Sequence, residues 1–182
     1  MAFVERPCRL FQKPGPKNTE AVLEAVAKRL EEGNIKWVII ASTSGETGAR
    51  FADALRGKAN VVVISHEKMK VKYKKEIEDL EGIAVDETHL PLHRRGMDKI
   101  RNAFYMLGQG FKVAVEVILI AVDKEVIKPG QDVIGVGGTG RGADTAIVAK
   151  ATATKDILSD NIRDRLEIRE IIAMPVKKKW WE

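Results

Sequence analysis

Ser42, Thr43, Ser44 and Thr47 stand with Gly45 and Glu46 in the stretch ASTSGETGAR, directly after the apolar run WVII. Hydroxyls donate hydrogen bonds to anionic oxygens, and glycine lets backbone come close to a ligand. A helix starting near Glu46 or Thr47 leaves its first amides unpaired and carries roughly +0.5 charge at that end, which favours a phosphate ester there. A hydrogen bond to a charged group contributes about 1.5–3 kcal/mol, so a few such contacts hold a phosphate without any lysine. The same residue types also cap helices and close turns, and that is the structural alternative for this loop taken alone.

A second loop shifts the balance. GVGGTGRGAD, residues 135–144, places Gly137, Gly138, Thr139, Gly140, Arg141 and Gly142 after another apolar run. Successive amides in such a loop form an anion-binding nest, and a guanidinium pairs with phosphate as a fork. Gly135, Gly137 and Gly140 also fit the G-x-G-x-x-G spacing of a dinucleotide site. That fingerprint belongs to the first strand and helix of its fold, whereas here it lies late in the chain. Arg141 and Gly142 stand where a P-loop requires Lys and Ser or Thr, which argues against a nucleotide triphosphatase.

Other residues suited to chemistry are fewer. His66, His89 and His93 can each reach the rim where strands end, with His66 the best of the three, but solvent-facing or structural roles are the simpler expectation. Leu-Pro-Leu between His89 and His93 disfavours the helix that a zinc pair needs, so no metal site is expected. Glu116, within VAVEVILIAV, is either a pocket acid or a helix-face acid paired with a lysine or arginine, the second being favoured. Asp144 closes the second loop and is a further pocket candidate. The lone Cys8 permits no intrachain disulfide, and no catalytic triad or nucleophile elbow can be assembled.

The elements that must carry these loops alternate. A helix is expected over NTEAVLEAVAKRLEEGN, with Asn18 or Thr19 as its cap, then a buried strand KWVIIAST, a helix GARFADALRG and a strand NVVVISH. This is a βαβ unit preceded by a helix, and it implies a parallel sheet whose ligands bind beyond the strand carboxyl ends. HEKMKVKYKKEIEDLEG reads as a charged surface loop leading into a helix, and IAVDETHL as a strand ending near His89. Two helices, MDKIRNAFYML and FKVAVEVILIAV, precede the strand DVIGVG. DTAIVAKATAT fits strand or helix; KDILSDNIRDRL reads as a helix and REIIAMP as the last strand.

Bulk properties agree with one α/β domain over residues 1–182, with an N-terminal extension over 1–17 and a basic, aromatic tail over 177–182. The chain has 45% hydrophobic residues, 31% charged residues and a net charge of +5. Lysine and arginine are dispersed, so KMKVKYKK and KKKWWE read as solvated faces, with Trp180 and Trp181 over an exposed core edge or a subunit surface of a homo-oligomer. Nucleic acid is therefore not the expected partner. The opening MAFVERPCRL lacks a secretory pattern, and the longest apolar run is too short to span a bilayer, so a cytoplasmic protein without a membrane partner is expected.

The two loops carry a family resemblance. Residues 18–65 resemble the C-terminal α/β domain of pyruvate kinases, where a helix and strand lead into a T-x-S-G-x-[ST] phosphate loop, and KPGQDVIGVGGTGRGADTAIV looks like that domain's late glycine loop. The resemblance implies that Ser42, Ser44, Gly45 and Thr47 contact phosphate, that Gly140 and Gly142 are the glycines of the second loop, and that DTAIVAKA is a strand. It implies a three-layer sandwich with a mostly parallel sheet. Glu46 stands where the family commonly has a base, and Arg141, Asp144 and Thr145 replace its Ser, Thr and Asn. A chain of 182 residues has no room for a catalytic barrel of around 250 residues, so pyruvate kinase activity is not expected. Stand-alone chains of this kind resemble an archaeal group with this fold. A ligand with one phosphate and a hydroxylated linker suits the loops and Glu46, which makes FMN the first candidate, ahead of another nucleotide or phosphorylated metabolite. Aromatic residues are only 5%, so aliphatic and backbone contacts would cover its ring. A flavin-dependent oxidoreductase and a regulatory or nucleic-acid-binding module are the alternatives.

Overall fold

The computed structural model describes residues 3–179. Its strands are β1 (Arg9–Phe11), β2 (Trp37–Ala41), β3 (Asn60–Ile64), β4 (Ile83–Val85), β5 (Asp132–Gly137), β6 (Thr145–Lys150) and β7 (Ile168–Pro175). Its helices are α1 (Thr19–Leu30), α2 (Glu46–Ala54), α3 (Val71–Asp79), α4 (Asp98–Tyr105) and α5 (Gln109–Asp123). The strands form one sheet in the order β1-β7-β6-β5-β2-β3-β4. Pairing is parallel except where β6 runs against both β5 and β7. The chain is therefore α/β with a mostly parallel sheet.

Strand alternation sorts the core into two sides. Val38 and Ile40 of β2 pack with Val22 and Val26 of α1, Phe51 of α2 and Ile77 of α3. Ile39, between them, faces the opposite side with Phe111, Val115, Ile118 and Leu119 of α5. α5 is buried almost all round, which explains its nearly continuous apolar sequence. No helix among the described residues is long and apolar enough to cross a membrane.

Several local expectations need correction. The stretch 155–166 is no helix: a 3-10 turn at Thr154–Asp156 gives way to bends. Ser159 and Asn161 side chains accept backbone N–H groups of Asn161 and Arg163, a local competitor of the helical ladder, and Leu158 and Ile162 find no core and remain exposed. β4 stops at Val85, short of His89, because Asp86 turns back to the Met69 amide and Lys74, and Glu87 takes a φ of 53°. The segment left open by pattern is strand β6. Part of the N-terminal extension joins the sheet, with β1 parallel to β7. The reading of Trp180 and Trp181 falls outside the described residues.

Neither Asn18 nor Thr19 caps α1 through its side chain. The Thr19 hydroxyl instead donates to the Pro16 carbonyl and accepts the Ala143 amide, tying α1 to the glycine loop.

Candidate functional site

A cavity of about 710 Å³ opens where β2, β3 and β5 end. Ser42, Thr43, Ser44, Glu46 and Thr47 form one wall, the segment from Ser65 to Lys70 a second, and Gly138, Gly140, Arg141 and Gly142 a third. α5 closes the fourth side with Gln109, Lys112, Val113, Glu116, Val117 and Ile120.

The hydroxyl loop is held by its backbone. Gly45 has a φ of 90°, the left-handed region, and precedes α2 as its N-cap without a side-chain cap bond. Ser42 donates its amide to the Ile64 carbonyl, Lys70 donates its amide to the Ser44 carbonyl, and the Ser65 hydroxyl lies 2.7 Å from the Glu67 carbonyl and 3.1 Å from that of Thr43, its one proton serving either. The Glu46 amide points at Ser44 Oγ, at 3.3 Å, while its carboxylate is exposed. Gly45 itself lies outside the cavity lining, and a Cβ there would come within 2.8 Å of Tyr73 Cβ on α3. Its role is to let α2 start beside α3.

The glycine loop joins β5 to an antiparallel neighbour, so it is a hairpin connection and not the strand-to-helix turn of a dinucleotide site. Gly140 and Gly142 take φ of 86° and 68°. Asp144 is fully buried behind the loop: its Oδ2 accepts the amides of Gly15 and Thr139 at 2.9 and 3.1 Å, and its Oδ1 accepts the Thr145 hydroxyl. Asp144 and the buried Thr139 therefore hold the loop from behind and do not face the cavity. Gly137 is likewise a packing residue, because a Cβ there would sit 2.1 Å from the Gly110 carbonyl of α5. Arg141 is exposed and makes no ion pair among the described residues.

The α5 wall holds Glu116 together with Lys112, which the sequence reading did not name. Lys112 and Glu116 are each only 3% exposed. Lys112 Nζ donates to Glu116 Oε2 at 2.8 Å and lies 3.1 Å from His93 Nε2. Glu116 Oε1 accepts the Leu92 amide at 3.0 Å. Glu116 thus lines the cavity and pairs with a lysine, where the sequence offered the two as alternatives. Loss of water around its ring, and next the Lys112 ammonium, hold His93 below the usual imidazole range.

The remaining histidines separate. His66 is on the cavity rim beside Glu67, at 3.4 Å. His89 turns to Asp123 at 3.2 Å, away from His93. Among the described residues no cluster of His, Cys, Asp and Glu could hold a metal ion. Lys68 and Lys70, read as part of a solvated face, line the cavity. Lys112 carried a signal in the sequence, a lysine one turn before an acid in an otherwise apolar helix.

Residues 20–149 match the family model described as pyruvate kinase, alpha/beta domain. Among solved structures the chain is similar to Cryptosporidium parvum pyruvate kinase in complex with ADP, with 16% identity and a TM-score of 0.43. That alignment covers 73% of this chain and 23% of the enzyme. Another structure of the C. parvum enzyme aligns at 16% identity and a TM-score of 0.41, over 76% of this chain and 23% of that one. The chain thus spans under a quarter of the enzymes it resembles. Because the family match runs from residue 20 to residue 149, the greater part of the chain, the protein belongs to the pyruvate kinase alpha/beta domain family.

Proposed function

We propose that the cavity binds a phosphorylated small molecule, FMN or a related nucleotide, with its phosphate between the hydroxyl loop and Arg141. One observation carries the reading: two loops some ninety residues apart in sequence, each rich in anion donors, line the same cavity as Lys68 and Lys70. Hydroxyls of Ser42, Ser44 and Thr47, the first amides of α2 and the Arg141 fork all donate, so the phosphate needs no metal to be held. Lys68, Lys70 and Arg141 oppose Glu46 and Glu67, three cations against two carboxylates, which suits one phosphate better than two. Aliphatic side chains of Ile64, Leu90, Val113 and Val117 supply the apolar cover that a flat ring requires. On this reading the chain acts as a ligand-binding module.

The test is titration of purified protein with FMN, followed by quenching of flavin fluorescence. Saturable binding that weakens about tenfold or more in Ser44→Ala and Arg141→Met is expected, one lost charge-assisted contact being sufficient. Equal affinity in both variants and the unaltered protein would remove the phosphate from these loops.

A further inference from the structure

We infer that the α5 wall is a second subsite, which receives a neutral carbonyl oxygen on the body of the phosphorylated ligand. The inference rests on the phosphate reading above and adds a requirement to it.

The ammonium of Lys112 has three N–H donors and no acceptor. One goes to Glu116 Oε2 and a second to His93 Nε2. Because an ammonium only donates, His93 Nε2 is the acceptor, and the neutral ring carries its proton on Nδ1. His93 lines the cavity and is exposed there, so it offers a donor and not a base. Glu116 has both oxygens engaged, by Lys112 and by the buried Leu92 amide, and is left with no call on a ligand proton.

Charge decides what the donors receive. On this wall the Lys112 cation is offset by Glu116 2.8 Å away, and His93 is neutral. The wall therefore presents a polarised donor, the His93 ring N–H, beside a neutralised ion pair, which favours a carbonyl over a second phosphate or carboxylate. The excess positive charge lies across the cavity, at Lys68, Lys70 and Arg141. A buried ion pair costs more than well-packed apolar side chains would, and here it opens on a cavity. Preorganised donors of this kind account for its position. The ligand class is a monophosphate ester whose body bears an amide, imide or lactam carbonyl; bisphosphates and carbonyl-free phosphate esters fit less well.

The probes are FMN, the matched pair IMP and AMP, which differ at purine C6 as carbonyl against amine, and inorganic phosphate as competitor. The variants are His93→Phe, which removes the donor on an exposed side chain, and Lys112→Met/Glu116→Gln, which removes the ion pair while keeping an acceptor for Leu92. IMP should bind about tenfold tighter than AMP, and both variants should weaken FMN and IMP by about that factor, one hydrogen bond's worth. AMP and phosphate affinities should change less than about twofold. Equal affinity for IMP and AMP, or FMN affinity untouched by both variants, overturns the carbonyl subsite. If phosphate competes at the loops while neither FMN nor IMP binds, the subsite fails and the phosphate reading stands. If no phosphorylated compound binds, both fall.

Discussion

Lys112 and Glu116 lie one turn apart on α5, joined at 2.8 Å, with side chains only 4% exposed. Both side chains are buried, so little water offsets either charge. Removing one partner leaves an uncompensated buried charge, at a cost of about 3–5 kcal/mol. Glu116→Gln and Lys112→Met should each lose stability on that order in urea unfolding. The double variant should recover most of it, because the glutamine still accepts from Leu92 and no charge is left. Additive losses in the double-mutant cycle would show that the two side chains are not coupled.

His93 gives a pH dependence with a definite sign. Its folded value is depressed, by lost hydration first and the Lys112 charge second, so the folded state resists protonation. The unfolded chain takes up that proton at the ordinary imidazole value of about 6.5. Stability is therefore fully present above about pH 6.5 and is lost as pH falls from there toward the depressed folded value. The melting temperature should rise with pH across that window, and His93→Gln should flatten the rise. An unchanged slope in the variant would assign it to another group.

Much of the sheet was legible because strands buried on both faces have little freedom of composition: WVIIA and NVVVI admit few other readings. The two candidate loops followed from position, each immediately after such a strand. What could not be read were contacts made across long sequence separations. Thr19 looks like a helix cap in sequence, yet its hydroxyl serves the loop 124 residues away. Asp144 looks like a pocket acid but is turned inward by the amides of Gly15 and Thr139. Residues 155–166 read as a helix, but Ser159 and Asn161 side chains take backbone amides there and Leu158 and Ile162 stay exposed. The contact between Lys112 and His93 was hidden for another reason, since a lysine in an apolar helix gains meaning only when the turn before α4 delivers a histidine to it.

Asp144 should therefore behave as a structural residue of the glycine loop. Asp144→Ala leaves the Gly15 and Thr139 amides without their acceptor in a site with no exposure. Each unmade bond of this kind costs about 1–3 kcal/mol, so a loss of several kcal/mol in chemical denaturation is expected. Asp144→Asn retains one acceptor oxygen and should lose less. If Asp144 were instead a ligand contact, both variants would bind more weakly while keeping full stability.

Gly142 tests the loop from its other face. Its φ of 68° disfavours any side chain, and a Cβ would lie 2.4 Å from Thr19 Oγ1 and 2.9 Å from Pro16 Cα. Gly142→Ala should cost about 1–3 kcal/mol and push the hairpin away from α1. Thr19→Ser/Gly142→Ala should not rescue it, because the oxygen that clashes is kept and the backbone strain remains.

Asp86 couples acid stability to the shape of the cavity. Its Oδ1 takes the Lys74 ammonium at 2.8 Å and its Oδ2 the Met69 amide at 3.1 Å, which fixes the segment carrying Lys68 and Lys70. The Lys74 hydrogen bond, as the leading cause, holds the Asp86 carboxyl below the usual carboxylate range. A carboxylate with a depressed folded value adds stability that is fully present above the unfolded value of about 3.9 and is lost as pH falls through the folded one. Asp86→Asn should therefore lower stability at neutral pH by about 1 kcal/mol, the Lys74 side being partly open to solvent, and should narrow the difference from the unaltered protein in acid. Because the Lys70 amide bonds the Ser44 carbonyl, the same variant should raise hydrogen exchange in residues 66–70 and weaken ligand binding at the hydroxyl loop. Exchange confined to α3, with the loop protected as before, would show that the segment is held by its other bonds.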